Sequence, residues 1–138
     1  MTKIVYVAGT WDLFHPGHIN ILRESKKLGR VIVAVSTDGL VYECKGEYPV
    51  MTLRERINTL NACKYVDEIV IQTEILNVRQ LKLFNVDIIV VGDDWTDKKN
   101  AGIEYMKHHG KVVFLPYTKG VSTTEIKQRI KSGTRKTD

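Results

Sequence analysis

The amino-acid sequence predicts an α/β fold in which helices cover both faces of a parallel sheet. Five short apolar runs alternate with amphipathic stretches, which is the pattern of chains where each strand is followed by a helix. Two runs, Val-Ile-Val-Ala-Val and Ile-Ile-Val-Val, are continuous and rich in β-branched residues, as is typical of strands covered on both faces. The 138 residues fit a single domain with a hydrophobic core.

The individual elements follow from apolar runs for strands and from helical spacing of apolar residues for helices. Strands are predicted at residues 4–8, 31–35, 68–71, 87–91 and 112–115. Helices are predicted at residues 17–28, 53–64, 76–84 and 101–109, with a last helix that begins near Thr123. Capping-box patterns begin at Thr52 and Ser122, and Asn85 and Gly110 stand where helices should end. Residues 38–51 are the longest irregular stretch and are expected to form a functional loop.

Charge and composition limit the partners of the protein. The formal net charge is +5, and much of the excess lies on the last helix and on an expected disordered basic tail at 132–138, which follows a domain at 1–131. We interpret this positive charge as a solvated surface or as an attraction for a phosphate ligand rather than as a nucleic-acid-binding surface. The reason is that the chain has no RNP-type aromatic motif and no zinc-finger spacing.

No segment of the sequence predicts a membrane-spanning helix or a location in an oxidising compartment. No apolar stretch is long enough to span a bilayer, and the first residues do not resemble a signal peptide, so a cytoplasmic location is expected. Cys44 and Cys63 form no CxxC pair. Cys63 shares a helical register with apolar residues and is expected in the core, whereas Cys44 is expected in a loop.

The first predicted strand is followed by the decamer Gly9-Thr10-Trp11-Asp12-Leu13-Phe14-His15-Pro16-Gly17-His18, which we call the histidine turn. Pro16 suits the first turn of a helix, and the two histidines, three residues apart, share a face at the helix start. Free backbone N–H groups and the positive end of the helix dipole favour an anion there. The imidazoles are open to structural, metal-binding or phosphate-binding roles, and the decamer favours the last.

Polar residues also follow three other predicted strands. Ser36-Thr37-Asp38 follows the second, Gly92-Asp93-Asp94-Trp95 the fourth, and residues 116–124 the fifth. Because ligands of such sheets bind beyond the carboxyl ends of the strands, these segments predict one composite site. The carboxylates of Asp93 and Asp94 could orient a base, a ribose or a cation, or they could belong to a solvated turn. The hydroxyls at 122–124 could line a triphosphate or simply cap a helix.

Together these motifs resemble the cytidylyltransferase family of the nucleotidyltransferase superfamily, and most closely its glycerol-3-phosphate cytidylyltransferases. The resemblance runs from residue 7 to about residue 130. Its HxGH signature is His15-Pro16-Gly17-His18, preceded by the Gly9-Thr10-Trp11-Asp12 segment. Its middle segment is similar to residues 53–56 and 64–68, its acidic-Trp segment is residues 92–95, and its closing signature is Gly120-Val121-Ser122-Thr123-Thr124.

The resemblance implies a Rossmann-like three-layer sandwich with a five-stranded parallel sheet in the order 3-2-1-4-5. It implies an enzyme, a cytoplasmic homodimer with Mg²⁺, that transfers CMP from CTP to a phosphorylated alcohol. In the branch that the sequence resembles most, the acceptor is glycerol 3-phosphate. The products would be pyrophosphate and CDP-glycerol, a precursor of teichoic acid or another cell-surface polymer. The alternatives are another acceptor (phosphoethanolamine, a phosphonate, a sugar phosphate), the use of ATP, or a non-catalytic nucleotide- or RNA-binding module.

The resemblance also assigns roles to individual residues. His15, His18 and Lys45 are expected to be catalytic, Lys45, Arg56 and Lys64 to bind the acceptor, and Asp12 and Asp94 to hold the metal. Arg56 and Lys64 could equally be surface charges of a helix. The expected nucleotide-binding residues are Gly9, Thr10, Trp11, Asp12, Gly17, Gly92, Asp93, Asp94, Tyr117, Thr118, Gly120, Val121, Ser122, Thr123 and Thr124.

Three positions depart from the family pattern. Tyr117 stands where an arginine is usual, Lys119 where an acidic residue is frequent, and Glu47 where a second loop lysine is frequent. A missing guanidinium weakens neutralisation of pyrophosphate, and a lysine supplies only a point charge in its place.

Overall fold

The computed structural model, which describes residues 2–134, contains a five-stranded sheet in the order β3-β2-β1-β4-β5. The strands are β1 (Ile4–Gly9), β2 (Arg30–Ser36), β3 (Glu68–Gln72), β4 (Ile88–Gly92) and β5 (Lys111–Leu115). All four neighbouring pairs are parallel. The predicted Rossmann-like architecture and strand order are therefore confirmed, and the strand order reverses between β1 and β4, where such folds bind ligands.

In the described part of the chain, five helices and a short 3₁₀ turn connect the strands, and a sixth helix follows β5. The helices are α1 (Pro16–Lys26), α2 (Asp38–Lys45), α3 (Leu53–Asn61), α4 (Val78–Leu83), α5 (Ala101–His109) and α6 (Thr123–Ser132), and the turn is Asp93–Trp95. Leu22 of α1 and Leu60 of α3 pack on one face of the sheet. Leu81 of α4 and Met106 of α5 pack on the other. The arrangement is thus a three-layer sandwich.

Alternate residues of the strands fill the two halves of the core. Val5 and Val7 of β1 face the side covered by α1 and α3, whereas Tyr6 between them faces the side covered by α4 and α5. The same alternation in β2 places Val33 on one side and Ile32 on the other. Burial on both faces explains why these strands are uninterrupted apolar runs in the sequence.

The prediction of a loop over 38–51 is wrong in its first half. Residues Asp38–Lys45 form α2, whose N-cap Thr37 accepts a hydrogen bond from the backbone N–H of Leu40. Gly46, with φ of 76°, ends the helix in a left-handed conformation that suits glycine. Cys44 therefore lies exposed on a helix, and only residues 46–51, which we call the substrate loop, are irregular.

Other helices are shorter than predicted. Helix α3 ends at Asn61, so Cys63 follows the helix, although it packs against the core as expected. Leu76 has a φ of 52° and Asn77 is the N-cap of α4, which delays that helix to Val78. The reciprocal capping box is present at Thr52. At Ser122 the side chain accepts from Glu125 as an N-cap should.

The last helix of the described chain ends close to residue 131, the predicted limit of the domain. Helix α6 includes Ser132, and Gly133 ends it with a φ of 71°. Residues 135–138 of the expected tail lie outside the described residues. Within 2–134, no helix has the length and apolar character that crossing a membrane requires.

Candidate active site

A pocket of about 440 Å³ opens at the carboxyl ends of the strands. The ends of β1 and β4 form its floor, and the histidine turn, the substrate loop and the start of α6 surround it. The predicted site residues that line it are Gly9, Thr10, Trp11, Asp12, His18, Lys45, Gly92, Asp94, Tyr117, Thr123 and Thr124. Convergence of segments far apart in the sequence at one edge of the sheet follows from its parallel topology.

The histidine turn is held in an unusual backbone conformation. Trp11 and Leu13 have φ values of 60° and 50°, which non-glycine residues rarely adopt. Trp11 is almost fully buried, and its indole N–H donates to the carbonyl of Ala34 on β2 at 3.2 Å. Gly9 leaves room for this ring, since a Cβ there would lie 3.1 Å from it. Trp11 therefore fixes the turn against the sheet and contributes a wall to the pocket.

Both imidazoles use Nδ1 as a hydrogen-bond acceptor. Nδ1 of His15, the N-cap of α1, accepts from the backbone N–H of Gly17 at 3.1 Å. Nδ1 of His18 accepts from the backbone N–H of His15 at 3.2 Å, which completes a reciprocal cap. This pattern assigns the proton of each neutral ring to Nε2, which remains available as a donor.

The position of the His18 ring is fixed by its aromatic neighbours. It stacks on His15 with ring centroids 3.7 Å apart and on Phe14 at 5.5 Å, and it is tilted against Trp11 at 5.3 Å. Burial lowers the pKa of His18 to about 3, assisted by the charges of His15 and Lys45. Burial also lowers the pKa of His15. Both rings are thus neutral at pH 7 in the free protein.

The glycine between the histidines is required by close packing. A Cβ on Gly17 would lie 2.8 Å from Cε1 and 3.0 Å from Nδ1 of His15, and 3.6 Å from Val121. Any side chain at residue 17 would therefore push the imidazole away from its cap. His15 and Gly17 do not line the pocket themselves, and they support His18 from behind.

Asp12 fastens the substrate loop to the histidine turn. Its buried carboxylate accepts from the backbone N–H groups of Val50 at 2.8 Å and Met51 at 2.9 Å, one on each oxygen. The carbonyl of Asp12 accepts from the hydroxyl of Thr123 at 2.9 Å. Through these hydrogen bonds Asp12 joins the turn, the loop and α6, and its role as a metal ligand stays a prediction.

The pocket is also lined by Asp94 and Lys98, which follow β4, and by Tyr117, which follows β5. The Tyr117 ring lies over Gly92, where a Cβ would be only 2.5 Å from Cζ and Oη of the ring. Burial, followed by the hydrogen bond to Asp94, raises the pKa of Tyr117 to about 12. Lys98 Nζ is 3.7 Å from the Asp94 carboxylate and lies over the Trp95 ring at 4.7 Å.

The segment before α6 contributes mainly structure. The Thr118 hydroxyl accepts from Asn20 at 2.9 Å, Gly120 has a φ of 81° that favours glycine, and Ser122 caps α6. Among residues 118–124, the threonines at 123 and 124 are the ones that line the pocket. The predicted nucleotide ligands that do not line it are Gly17, Asp93, Thr118, Gly120, Val121 and Ser122. Lys119 is exposed and away from the pocket.

Several pocket residues were not predicted from the sequence. Lys127 lies one helical turn beyond Thr123 and Thr124, and its ammonium is 3.3 Å from the Glu47 carboxylate of the substrate loop. That spacing of three or four residues could have revealed it, as could the spacing of four between Asp94 and Lys98. The remaining unpredicted polar members are Gln72 and Tyr48, whereas Ser36 belongs to a segment that was expected at the site.

Arg56 and Lys64 are not brought to the pocket. Arg56 is fully buried and donates all its described hydrogen bonds to protein groups, so it is neither an acceptor ligand nor a surface charge. Lys64 lies over the ring of Tyr65 at 5.3 Å.

A metal ion would find few protein ligands here. Within residues 2–134 no group of three or more His, Cys, Asp or Glu side chains could hold one. Both oxygens of Asp12 already accept backbone hydrogens, and Glu47, another pocket carboxylate, is paired with Lys127, which leaves Asp94 as the other predicted metal ligand. A single carboxylate suits Mg²⁺ only when substrate phosphates supply further ligands.

The chain is similar to two cytidylyltransferases and to a bifunctional protein over most of its length. It is 37% identical to the glycerol-3-phosphate cytidylyltransferase of Bacillus subtilis (strain 168), over 93% of this chain and 97% of that protein. It is 40% identical to the ethanolamine-phosphate cytidylyltransferase of Dictyostelium discoideum, over 91% of this chain. The chain spans only 36% of that relative, and 27% of the bifunctional protein HldE of Nitrosococcus oceani, to which it is 38% identical.

The fold also has a solved counterpart. The crystal structure of the lipopolysaccharide core biosynthesis protein from Thermoplasma volcanium GSS1 superposes with a TM-score of 0.69 at 26% identity, over 86% of this chain and all of that one. The model of the cytidylyltransferase-like family matches residues 6–129, which include the histidine turn, the β4 end and most of α6. The chain belongs to the cytidylyltransferase-like family.

Proposed function

We propose that the protein is a nucleotidyltransferase that transfers CMP from CTP to a phosphorylated alcohol, glycerol 3-phosphate, and releases pyrophosphate. The observation that carries the proposal is the pair of neutral imidazoles of His15 and His18 at the N-terminus of α1. The Nδ1 atom of each accepts a hydrogen bond from a backbone N–H group. Similarity over 97% of the Bacillus subtilis enzyme supports CTP and glycerol 3-phosphate as the substrates.

The reaction is an in-line displacement at phosphorus. An oxygen of the acceptor phosphate forms a bond to the α-phosphorus of CTP, the bond to the bridging oxygen breaks, and pyrophosphate leaves with that electron pair. A phosphate monoester is already a nucleophile at neutral pH, so no side chain has to remove a proton from it. Catalysis then consists of alignment and of stabilising the charge that develops.

The two histidines act on that charge together. His18 donates its Nε2–H to the α-phosphate, and His15, stacked 3.7 Å behind it, holds the His18 ring in place. Their low pKa values keep both rings neutral before the nucleotide binds. The negative charge of the phosphates then raises these pKa values, so each ring becomes more basic as charge accumulates on the reacting oxygens.

Lysines from three segments neutralise the triphosphate. Lys45 stands at the end of α2, Lys98 follows β4, and Lys127 lies on α6 beside the threonine hydroxyls at 123 and 124. These lysines supply positive charge in place of the arginine that is usual where this chain has Tyr117. A Mg²⁺ ion bound mainly by the phosphates, with Asp94 as its protein ligand, would neutralise further charge on the triphosphate.

A screen of pyrophosphate release tests the proposal. CTP and ATP are each combined with glycerol 3-phosphate, phosphoethanolamine, a phosphonate and a sugar phosphate. We expect the highest kcat/KM with CTP and glycerol 3-phosphate. A preference for ATP would contradict the nucleotide assignment, and salt-dependent RNA binding without pyrophosphate release from any pair would contradict the enzymatic proposal altogether.

Phosphoethanolamine is the second acceptor to consider. The 40% identity to the Dictyostelium discoideum enzyme favours it, as does the acidic Glu47 on the substrate loop, because an ammonium group is attracted by a carboxylate. A higher kcat/KM with phosphoethanolamine than with glycerol 3-phosphate in the same screen would establish it.

The family resemblance further leads us to propose a cytoplasmic homodimer that supplies CDP-glycerol for teichoic acid or another cell-surface polymer. Sedimentation equilibrium of the purified chain tests the dimer: a single species at the monomer mass across micromolar concentrations would contradict it. Fractionation of the cells that express the chain tests the compartment.

A further inference from the structure

The most densely bonded charged group outside the pocket is the guanidinium of Arg56 on α3. Its side chain is fully buried. Nη1 donates to the carbonyls of Thr10 at 2.7 Å and Ser36 at 2.8 Å, and Nε donates to the carbonyl of Met51 at 3.2 Å. Nη2 donates to the Asp38 carboxylate at 2.6 Å. One side chain therefore contacts the histidine turn, the end of β2, the substrate loop and the start of α2.

The acceptors are the points where each segment turns toward the pocket. Thr10 is the second residue of the histidine turn, and Ser36 is the last residue of β2. Asp38 is the first residue of α2, whose last residue is Lys45 in the pocket wall. The ion pair to Asp38 is the side-chain contact that connects this network to α2.

The arrangement requires an arginine. Four of the five N–H groups of a guanidinium are used, and they diverge in one plane toward acceptors on four segments. A lysine ammonium has three donors around a single nitrogen and cannot reach that set. An ordinary surface charge of a helix would leave most of these carbonyls to solvent, whereas here Arg56 satisfies them in the protein interior.

We infer that Arg56 is a positioning residue for the transfer reaction: through Asp38 it fixes α2, and with it Lys45, relative to the histidine turn. The inference rests on the proposed function, in which Lys45 contacts phosphate. Arg56 itself touches no substrate, and it acts by setting the distance between a cation on α2 and the imidazoles on α1.

A double-mutant cycle tests this assignment. Asp38→Asn removes the ion pair but keeps the buried guanidinium, so it perturbs folding less than a substitution at Arg56. We expect Asp38→Asn to lower kcat/KM for CTP about tenfold in the wild-type background and less than about twofold in Lys45→Ala, because coupled residues are not additive. Additive losses would overturn the inference, as would an unchanged kcat/KM in Asp38→Asn.

The control is another ion pair, whose carboxylate is as exposed as that of Asp38 although its arginine lies at the surface. Arg30 and Glu68 are 3.2 Å apart on the edge of the sheet, with the Glu68 side chain 42% exposed against 43% for Asp38. Glu68→Gln should leave kcat/KM within about twofold of wild type in both backgrounds. An equal loss in both variants would mean that any surface charge matters, which also contradicts the inference.

Hydrogen exchange gives a readout that does not depend on activity. The Val41 amide, bonded to the Thr37 carbonyl at 3.1 Å, reports on α2. Its exchange should be at least several-fold faster in Asp38→Asn than in wild type or Glu68→Gln. A wild-type chain without pyrophosphate release would refute the proposed function and leave this exchange result intact. An active wild type with unchanged exchange in Asp38→Asn would refute the positioning role alone.

Discussion

The substitution His18→Ala tests the chemistry proposed for the histidine turn. In the free protein the ring is neutral, and its Nδ1 is occupied by the backbone N–H of His15 at 3.2 Å, so Nε2–H is the donor that the variant loses. Removing one preorganised donor to a developing oxyanion costs roughly 10²–10³-fold in kcat, or about 2.7–4 kcal/mol. We expect a loss of this size, with a smaller change in KM.

The assay measures the rate of pyrophosphate release continuously at saturating concentrations of CTP and acceptor. Because the variant also removes the acceptor for the His15 amide, circular dichroism and thermal unfolding have to show that the domain is still folded. His109→Ala is the matched control, since His109 is exposed on α5 and stacks on Tyr105 rather than facing the pocket. It should retain wild-type turnover.

A loss of less than about fivefold in folded His18→Ala would refute the reasoning, because a donor to the reacting phosphate cannot be that dispensable. A second variant separates charge from hydrogen bonding. His18→Gln supplies a neutral N–H donor, so it should recover part of the lost turnover.

Four further outcomes are expected. Between the ordinary histidine pKa of 6.5 and the value of about 3 in the fold, the unfolded chain binds a proton at His18 that the folded chain does not, so the free energy of unfolding falls as pH falls through this window. Urea unfolding from pH 7 to pH 4 should show it, with a flatter profile in His18→Ala. In Gly17→Ala the new Cβ would lie 2.8 Å from the His15 imidazole, so this ring has to move. We expect kcat to fall at least about tenfold. Gly39→Ala on α2, with open space around it, should instead stabilise the chain by about 0.5–1 kcal/mol without loss of activity, as thermal unfolding and turnover would show. Glu47→Gln releases Lys127 from its ion pair and should tighten CTP binding several-fold in titrations at low salt, and an advantage that persisted at about 1 M salt would contradict the electrostatic explanation.

The local elements were predictable because they depend on neighbours in the chain. The strand at residues 4–8 and the helix at 101–109 follow from apolar periodicity, and the structure has them at Ile4–Gly9 and Ala101–His109. The capping box at Thr52 is likewise local. Helix α2 escaped prediction because its eight residues give too few turns for a clear periodicity, and its cap, Thr37, lies in a segment that reads as a strand end.

The composite site was predictable in outline. A parallel sheet brings the carboxyl ends of its strands to one edge, so motifs after the first, fourth and fifth strands had to meet. A pocket lined by residues of all three motifs lies at that edge. Side-chain partners across the pocket were not predictable, because they join residues that are distant in sequence. Lys127 and Glu47, eighty positions apart, are an example.

The sequence by itself determined the α/β class, the parallel sheet, the histidine turn and the family. These depend on periodicity, on strand-to-helix spacing and on short contiguous motifs. Only the tertiary structure decided what the charged residues do: Asp12 binds backbone N–H groups of the substrate loop, and Arg56 is buried among carbonyls of three segments. The physical reason is that a charge takes its role from the acceptors and donors around it, and folding brings these together from distant parts of the chain.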